Sequence, residues 1–180
     1  MSTESKFINL HVHTHYSLLE STVKIPKLIE SAKEMQMDAL AVTDLGNMHG
    51  AVEFYFAARE AGIKPILGVE LYYVTGTRAD KTKIVRKVGA DEDLNQRLFH
   101  LVLLAQNENG YRNICELITH SYFEGFHNSQ PRADYELLRK FSKDVIVMTA
   151  GLKGEIPFHL AMQRPEMAEA SLKNLKEIYG

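Results

Sequence analysis

The sequence predicts an α/β fold in which parallel strands are joined by crossover helices. Three observations lead there. Short apolar runs with β-branched centres alternate with stretches of helical periodicity, in the order strand, helix, strand, helix, strand as far as residue 74. Such alternation favours parallel strands with helical crossovers. The 180 residues are 45% hydrophobic and 24% charged, which is the composition of an ordinary globular domain with a real core. Finally, the polar residues that interrupt the apolar runs fall at the ends of predicted strands, where parallel α/β folds form their ligand sites.

The first strand is predicted at Phe7–Leu10 (FINL), and His11, His13 and His15 follow it at every second position. Leu18–Thr22 is a loop carrying Glu20. Pro26 suits the first turn of a helix, where its missing N–H costs nothing, and Leu28, Ile29, Ala32 and Met35 give that helix an apolar stripe. Asp38–Thr43 (DALAVT) reads as a strand buried on both faces and ending at Asp44. Gly46-Asn47 marks a turn. A helix is predicted over about Ala51–Ala61, with Phe54, Ala57 and Ala58 inward and Gly62 as its stop.

Lys64–Val74 (KPILGVELYYV) is the next strand, with Glu70 inside it. Thr75–Arg97 is polar and reads as a loop or hairpin insertion. Leu98–Ala105 (LFHLVLLA) is a strand carrying His100, and Asn107 caps a helix through Phe123 with Tyr111, Ile114, Leu117 and Ile118 facing in. Gly125–Ala133 is a loop, Asp134 caps a short helix through Phe141, and Val145–Thr149 is a further buried strand. Pro165 opens a last helix with Met167, Leu172, Leu175 and Ile178 inward. There is no internal repeat and no linker, so residues 1–180 are expected to form one domain.

A formal net charge of −2 excludes a strong overall pull toward nucleic acid or an anionic membrane. The single cysteine, Cys115, rules out an intramolecular disulfide, fits a reducing compartment and reads as a small core filler. The polar start MSTESKF lacks the apolar centre of a secretory signal. No apolar run is long enough to span a bilayer, so a cytoplasmic location with no membrane partner is expected. Walker loops, GxGxxG, GxSxG and CxxC are all absent.

Alternate residues of a strand share a face, so the histidines at 11, 13 and 15 would project together at a strand end. Neutral imidazole is the commonest side-chain ligand for zinc and similar ions. The alternative is a polar edge strand with solvated or hydrogen-bonded histidines. An acidic side chain within ILGVELYY is costly to bury unpaired, which makes Glu70 a ligand or the partner of a lysine. His100 reads as a ligand or a satisfied core histidine, and Glu20 as a ligand or a solvated carboxylate. Asp44 reads as a residue that supports ligands or caps the following turn. His49, His120, His127 and His159 fit no pattern and read as surface or helix-face residues. Histidines and carboxylates around one sheet could hold several metal ions, polarise a phosphoryl oxygen and generate hydroxide near neutral pH.

HVHTHYSLLE and AVTDLGNMHGAVEFYFAAREAGIKPILGVELYY resemble the first motifs of PHP (polymerase and histidinol phosphatase) domains. Three later stretches, FHLVLLAQNENGYRNICELITHSYFEGF, PRADYELLRKFSKDVIVMTAG and KGEIP, narrow the likeness to the PHP domains at the N-termini of bacterial DNA polymerase III alpha subunits. The resemblance runs from about Phe7 to Gly180. It implies a distorted (β/α)7 barrel with a divalent metal cluster at the carboxyl ends of its strands. It implies His11 and His13 as the HxH ligands, Glu20 as an acidic ligand, Glu70 as a bridging ligand and His100 as a further one. Zinc, manganese and iron all suit such a set.

Two positions depart from the family's metal-bearing members. Leu45 stands where they carry His, and Gly151 falls nearest their Cys. A partly degenerate site, with reduced metal occupancy or none, is therefore expected. The chain is also shorter than a whole barrel, whose closing strands and remaining ligands would lie beyond Gly180, and it carries no polymerase palm. The resemblance thus implies the N-terminal part of a replicase subunit whose partners are the rest of the alpha chain, proofreading and other replicase subunits, and DNA through the holoenzyme. The alternative it implies is a working metal-dependent phosphoesterase, either a 3′–5′ exonuclease or a histidinol-phosphatase-like enzyme. A third reading is a metal-free interaction module.

Overall fold

The sheet is organised on one long strand. In the computed structural model, which describes residues 7–81 and 97–180, β1 (Ala39–Val42) pairs in parallel with the first half of β2 (Lys64–Tyr73), Val42 lying opposite Leu67. On the other edge of β2, β3 (Phe99–Ala105) runs antiparallel, with Tyr72 opposite His100 and Gly68 opposite Leu104. The two-residue β4 (Arg132–Ala133) lies parallel to the end of β2, and β5 (Val145–Met148) pairs antiparallel with β3. The order β1-β2-β3-β5 leaves an open sheet among the described residues.

The parallel expectation therefore holds for the direction of β1, β2, β4 and β5 and fails for β3, which runs against both its neighbours. A parallel neighbour needs a crossover, usually a helix, and the described part of the connection after β2, Thr75–Lys81, contains none. The rest of the predicted insertion, residues 82–96, lies outside the described residues. β3 and β5 are separated by two helices and β4, so no single crossover forces them parallel.

The helices cover one face. α1 (Ile25–Glu34) and α2 (Ala51–Glu60) bury Ile25, Ile29, Phe54 and Ala58 against Leu40 and Val42 of β1. α3 (Glu108–Phe123), α4 (Tyr135–Lys140) and α6 (Pro165–Tyr179) bury Ile114, Leu117, Leu137, Leu138, Leu175 and Ile178 on Val69, Leu71, Phe99, Leu101 and Leu103. Asn107 and Asp134 cap α3 and α4, accepting from the backbone N–H of Gly110 and Leu137. Alternation then sends Glu70, Tyr72, His100, Val102 and Leu104 to the opposite face. There Ala41, Val102 and Leu104 form a small core of their own, with Ile66 and Met148 packed on it.

Several predicted inward positions point outward. Phe7 is 72% exposed, and Ile8 and Leu10 are each 38% exposed. Residues 7–10 form no assigned strand, because their segment meets the sheet only at β1, through the Asn9 and Val12 carbonyls. Met35 follows the last turn of α1 as its cap and lies open. α6 buries Ala168, Ser171, Leu175 and Ile178, leaving Met167 and Leu172 exposed. β5 is only half buried, with Ile146 open to solvent. His159 is 2% exposed, on α5 (Glu155–Ala161), a helix the sequence reading missed. No helix among the described residues is long and apolar enough to cross a membrane.

Candidate metal centre

Two separate segments bring three imidazoles onto one carboxylate. Residues 9–12 run beside β1: the Asn9 and Val12 carbonyls accept from Ala41 N and Thr43 N, and Val12 N donates to Thr43 Oγ1. This extended course keeps the alternation that the histidines require. His11 Nε2 and His13 Nε2 each lie 2.6 Å from Glu70 Oε2. From β3, His100 Nδ1 lies 2.5 Å from Glu70 Oε1. The Glu70 side chain is 3% exposed, whereas those of His13 and His11 are 19% and 40% exposed. The cluster is thus rooted in the sheet and opens outward at its histidines. Burial alone pushes the Glu70 carboxyl up, but hydrogen bonds from His100, His11 and His13 outweigh it and hold the group far below the usual carboxylate range.

The predicted site residues do not all converge. His100 was expected at the carboxyl end of a parallel strand. It stands at the start of β3, and because β3 is antiparallel this start lies level with the far half of β2. Glu20 is exposed in its loop, 3.8 Å from Lys153, and is not among the residues that contact Glu70. His15 diverges where the chain turns at Thr14–Ser17. Its ring packs on Tyr16, with centroids 4.4 Å apart. Leu45 forms a bridge beside Glu70, and Gly151 sits in an exposed 3-10 turn at φ +57°.

Asp44 does not face the histidines. Its Oδ1 accepts from Thr14 N and Ser17 Oγ, each at 2.6 Å, and its Oδ2 accepts from Thr14 Oγ1 at 2.8 Å. It therefore holds the loop that directly follows His13. Ser17 Oγ also receives Leu45 N, so the Asp44–Ser17 pair ties the His13 loop to the turn after β1. Thr14 and Ser17 were missed in the sequence. The available signal was the pattern of short hydroxyl residues after the histidines, opposite a strand-end aspartate.

A second polar group stabilises the helix-covered side. Glu155 Oε2 accepts from Tyr73 Oη at 2.8 Å and Tyr135 Oη at 2.5 Å, and Oε1 accepts from Ser171 Oγ at 2.6 Å. This carboxylate joins β2, α4, α5 and α6, and explains why Ser171 lies inside α6. Burial and the neighbouring carboxylate push both tyrosine hydroxyls up.

The donor set fits a divalent cation. His11, His13 and Glu70 each offer a ligand atom, and those atoms lie within 4.8 Å of one another. Two imidazoles and a buried carboxylate suit zinc, manganese or iron. The mixed α/β domain thus presents, on the sheet face opposite its packed helices, a set of donors that could hold a divalent cation. The chain belongs to the PHP domain family, whose model matches residues 9–180. Among curated relatives, the DNA polymerase III subunit alpha of Aquifex aeolicus is 39% identical over 174 residues, covering 97% of this chain and 15% of the relative. That of Borreliella burgdorferi is 42% identical over 180 residues, covering 100% and 15%. The chain thus spans about a seventh of the length of these relatives. Among solved structures, an amidohydrolase from Chromobacterium violaceum superposes with a TM-score of 0.44 at 21% identity, covering 62% of this chain and 32% of its own.

Proposed function

We propose that this chain is the PHP domain of a bacterial replicative DNA polymerase III alpha subunit, and that it binds a divalent metal through His11, His13, Glu70 and His100. The observation that carries the metal reading is the convergence of three imidazoles on the Glu70 carboxylate. Identity near 40% along the whole chain to alpha subunits supports the replicase setting. In that setting the chain works in the cytoplasm as one domain, with the rest of the alpha chain, proofreading and other replicase subunits, and DNA as partners. Glu20 is retained as a further carboxylate ligand, because its exposed ion pair with Lys153 holds it weakly. Asp44 supports His13 through Thr14.

A second reading, a metal-dependent phosphoesterase, is favoured by the same intact cluster, with Leu45 and Gly151 standing against it. A bound metal there would polarise a phosphoryl oxygen and lower the pKa of a water. The protein's own part is to fix the imidazoles on Glu70 and to leave His11 and His13 facing solvent. His11→Ala and His13→Ala test both readings. Loss of metal and of any nuclease or phosphatase activity supports a working site. Full folding and undiminished binding to replicase subunits, with metal content the same as wild type, contradicts the metal assignment.

A further inference from the structure

We propose that Tyr72 is a positioning residue of the metal centre, its hydroxyl donating a hydrogen bond to a phosphoryl oxygen of the substrate. This rests on the phosphoesterase reading above. Tyr72 lies two residues beyond Glu70 on β2, so the two side chains leave the same face of the sheet. The β2–β3 register places Tyr72 directly opposite His100, and its ring meets the imidazole edge-on, with centroids 4.8 Å apart and planes at 76°. Close to the same ring is the turn after β1. A methyl group at Gly46 would come within 3.4 Å of Tyr72 Cε2. The ring therefore packs on His100 and lies close to the Gly46 turn, two contacts that limit where its hydroxyl stands.

The hydroxyl itself is uncommitted. It makes no hydrogen bond among the described residues. Its neighbours differ in this respect: Tyr73, on the opposite face, donates to Glu155, and Tyr16 donates to Glu53. Glu70, the nearest carboxylate along the strand, already takes three imidazoles. A tyrosine hydroxyl is a hydrogen-bond donor. A donor on the same sheet face as the cluster, with its ring against His100, suits an anionic oxygen, since hydrogen bonds to charged acceptors are the strong ones. Phosphate monoesters and diesters share that oxygen.

The test is isothermal titration of manganese-loaded full chain with inorganic phosphate, for wild type and Tyr72→Phe. Phenylalanine keeps the packing on His100 and Gly46 and removes only the hydroxyl. The expected result is phosphate binding weakened about tenfold in Tyr72→Phe, with metal content and melting temperature unchanged. Displacement of phosphate from wild type by phenyl phosphate assigns a monoester, and displacement by diphenyl phosphate assigns a diester. Phosphate bound equally well by both proteins overturns the assignment. So does a metal-loaded wild type that binds no phosphate, which leaves the metal site standing. Loss of metal in Tyr72→Phe shows a structural role instead and also overturns it. A wild type that takes up no metal overturns the phosphoesterase reading, and the role of Tyr72 with it.

Discussion

His100 Nδ1 lies 2.5 Å from Glu70 Oε1, across the antiparallel ladder of β2 and β3. This contact joins two strands far apart in sequence and leaves the other Glu70 oxygen to His11 and His13. Glu70→Gln would keep the shape and remove the charge on which all three imidazoles converge. The expected loss at neutral pH is about 1–3 kcal/mol of stability, together with metal affinity.

The pH dependence follows with a definite sign. The Glu70 carboxyl is held below its ordinary value. Its contribution is therefore present above the unfolded pKa of about 4.3 and is lost as pH falls through the folded value. The melting-temperature gap between metal-free wild type and Glu70→Gln should be steady from about pH 7 to about pH 5 and narrow below about pH 4. A gap that widens on acidification contradicts this.

Asp44→Ala removes the acceptor of three hydrogen bonds from Thr14 and Ser17. Thr14 N, in a residue with no exposed surface, is then left without its partner. A loss of about 2–4 kcal/mol is expected from such buried, charge-assisted bonds. Because Thr14 follows His13, metal affinity should fall as well. Chemical denaturation and metal titration of one variant read both effects, and unchanged metal affinity would show that the loop does not position His13.

Glu155→Leu tests the second polar group. It strips Tyr73, Tyr135 and Ser171 of their common acceptor. Each buried hydroxyl left unpaired costs about 1–3 kcal/mol, so the variant should unfold well below wild type or fail to fold. Glu155→Gln, which keeps an acceptor oxygen, should fall between the two on a thermal melt.

Gly46 sits at φ +69° against Pro131 and Tyr72. Gly46→Ala is expected to cost about 1–2 kcal/mol from the left-handed backbone alone. It should also disturb the Tyr72 ring, visible as a changed tyrosine signal in near-ultraviolet circular dichroism.

Much of the fold was legible because local signals agreed with the tertiary structure. Pro26, Asn107, Asp134 and Pro165 start their helices as expected. The HxH spacing and the acid in ILGVELYY identified three side chains that do meet. Strand direction was not legible, because a parallel and an antiparallel neighbour present the same buried run, and β3 has nearly every residue buried either way. The inward stripe of α6 lies one position off its apolar pattern at Met167 and Leu172, because Ser171 faces inward to Glu155, a partner sixteen residues away. Glu20 looked equivalent to Glu70 as an acid near a motif, but burial separates them: Glu70 is inside the sheet and Glu20 lies on an exposed loop.

Metal content per chain, by elemental analysis of protein purified without chelator or a metal-binding tag, tests the central claim most directly. At least one zinc, manganese or iron ion per wild-type chain is predicted, lost in both His13→Ala and Glu70→Gln. Wild-type protein that holds no metal, even after incubation with each of the three ions, would contradict it.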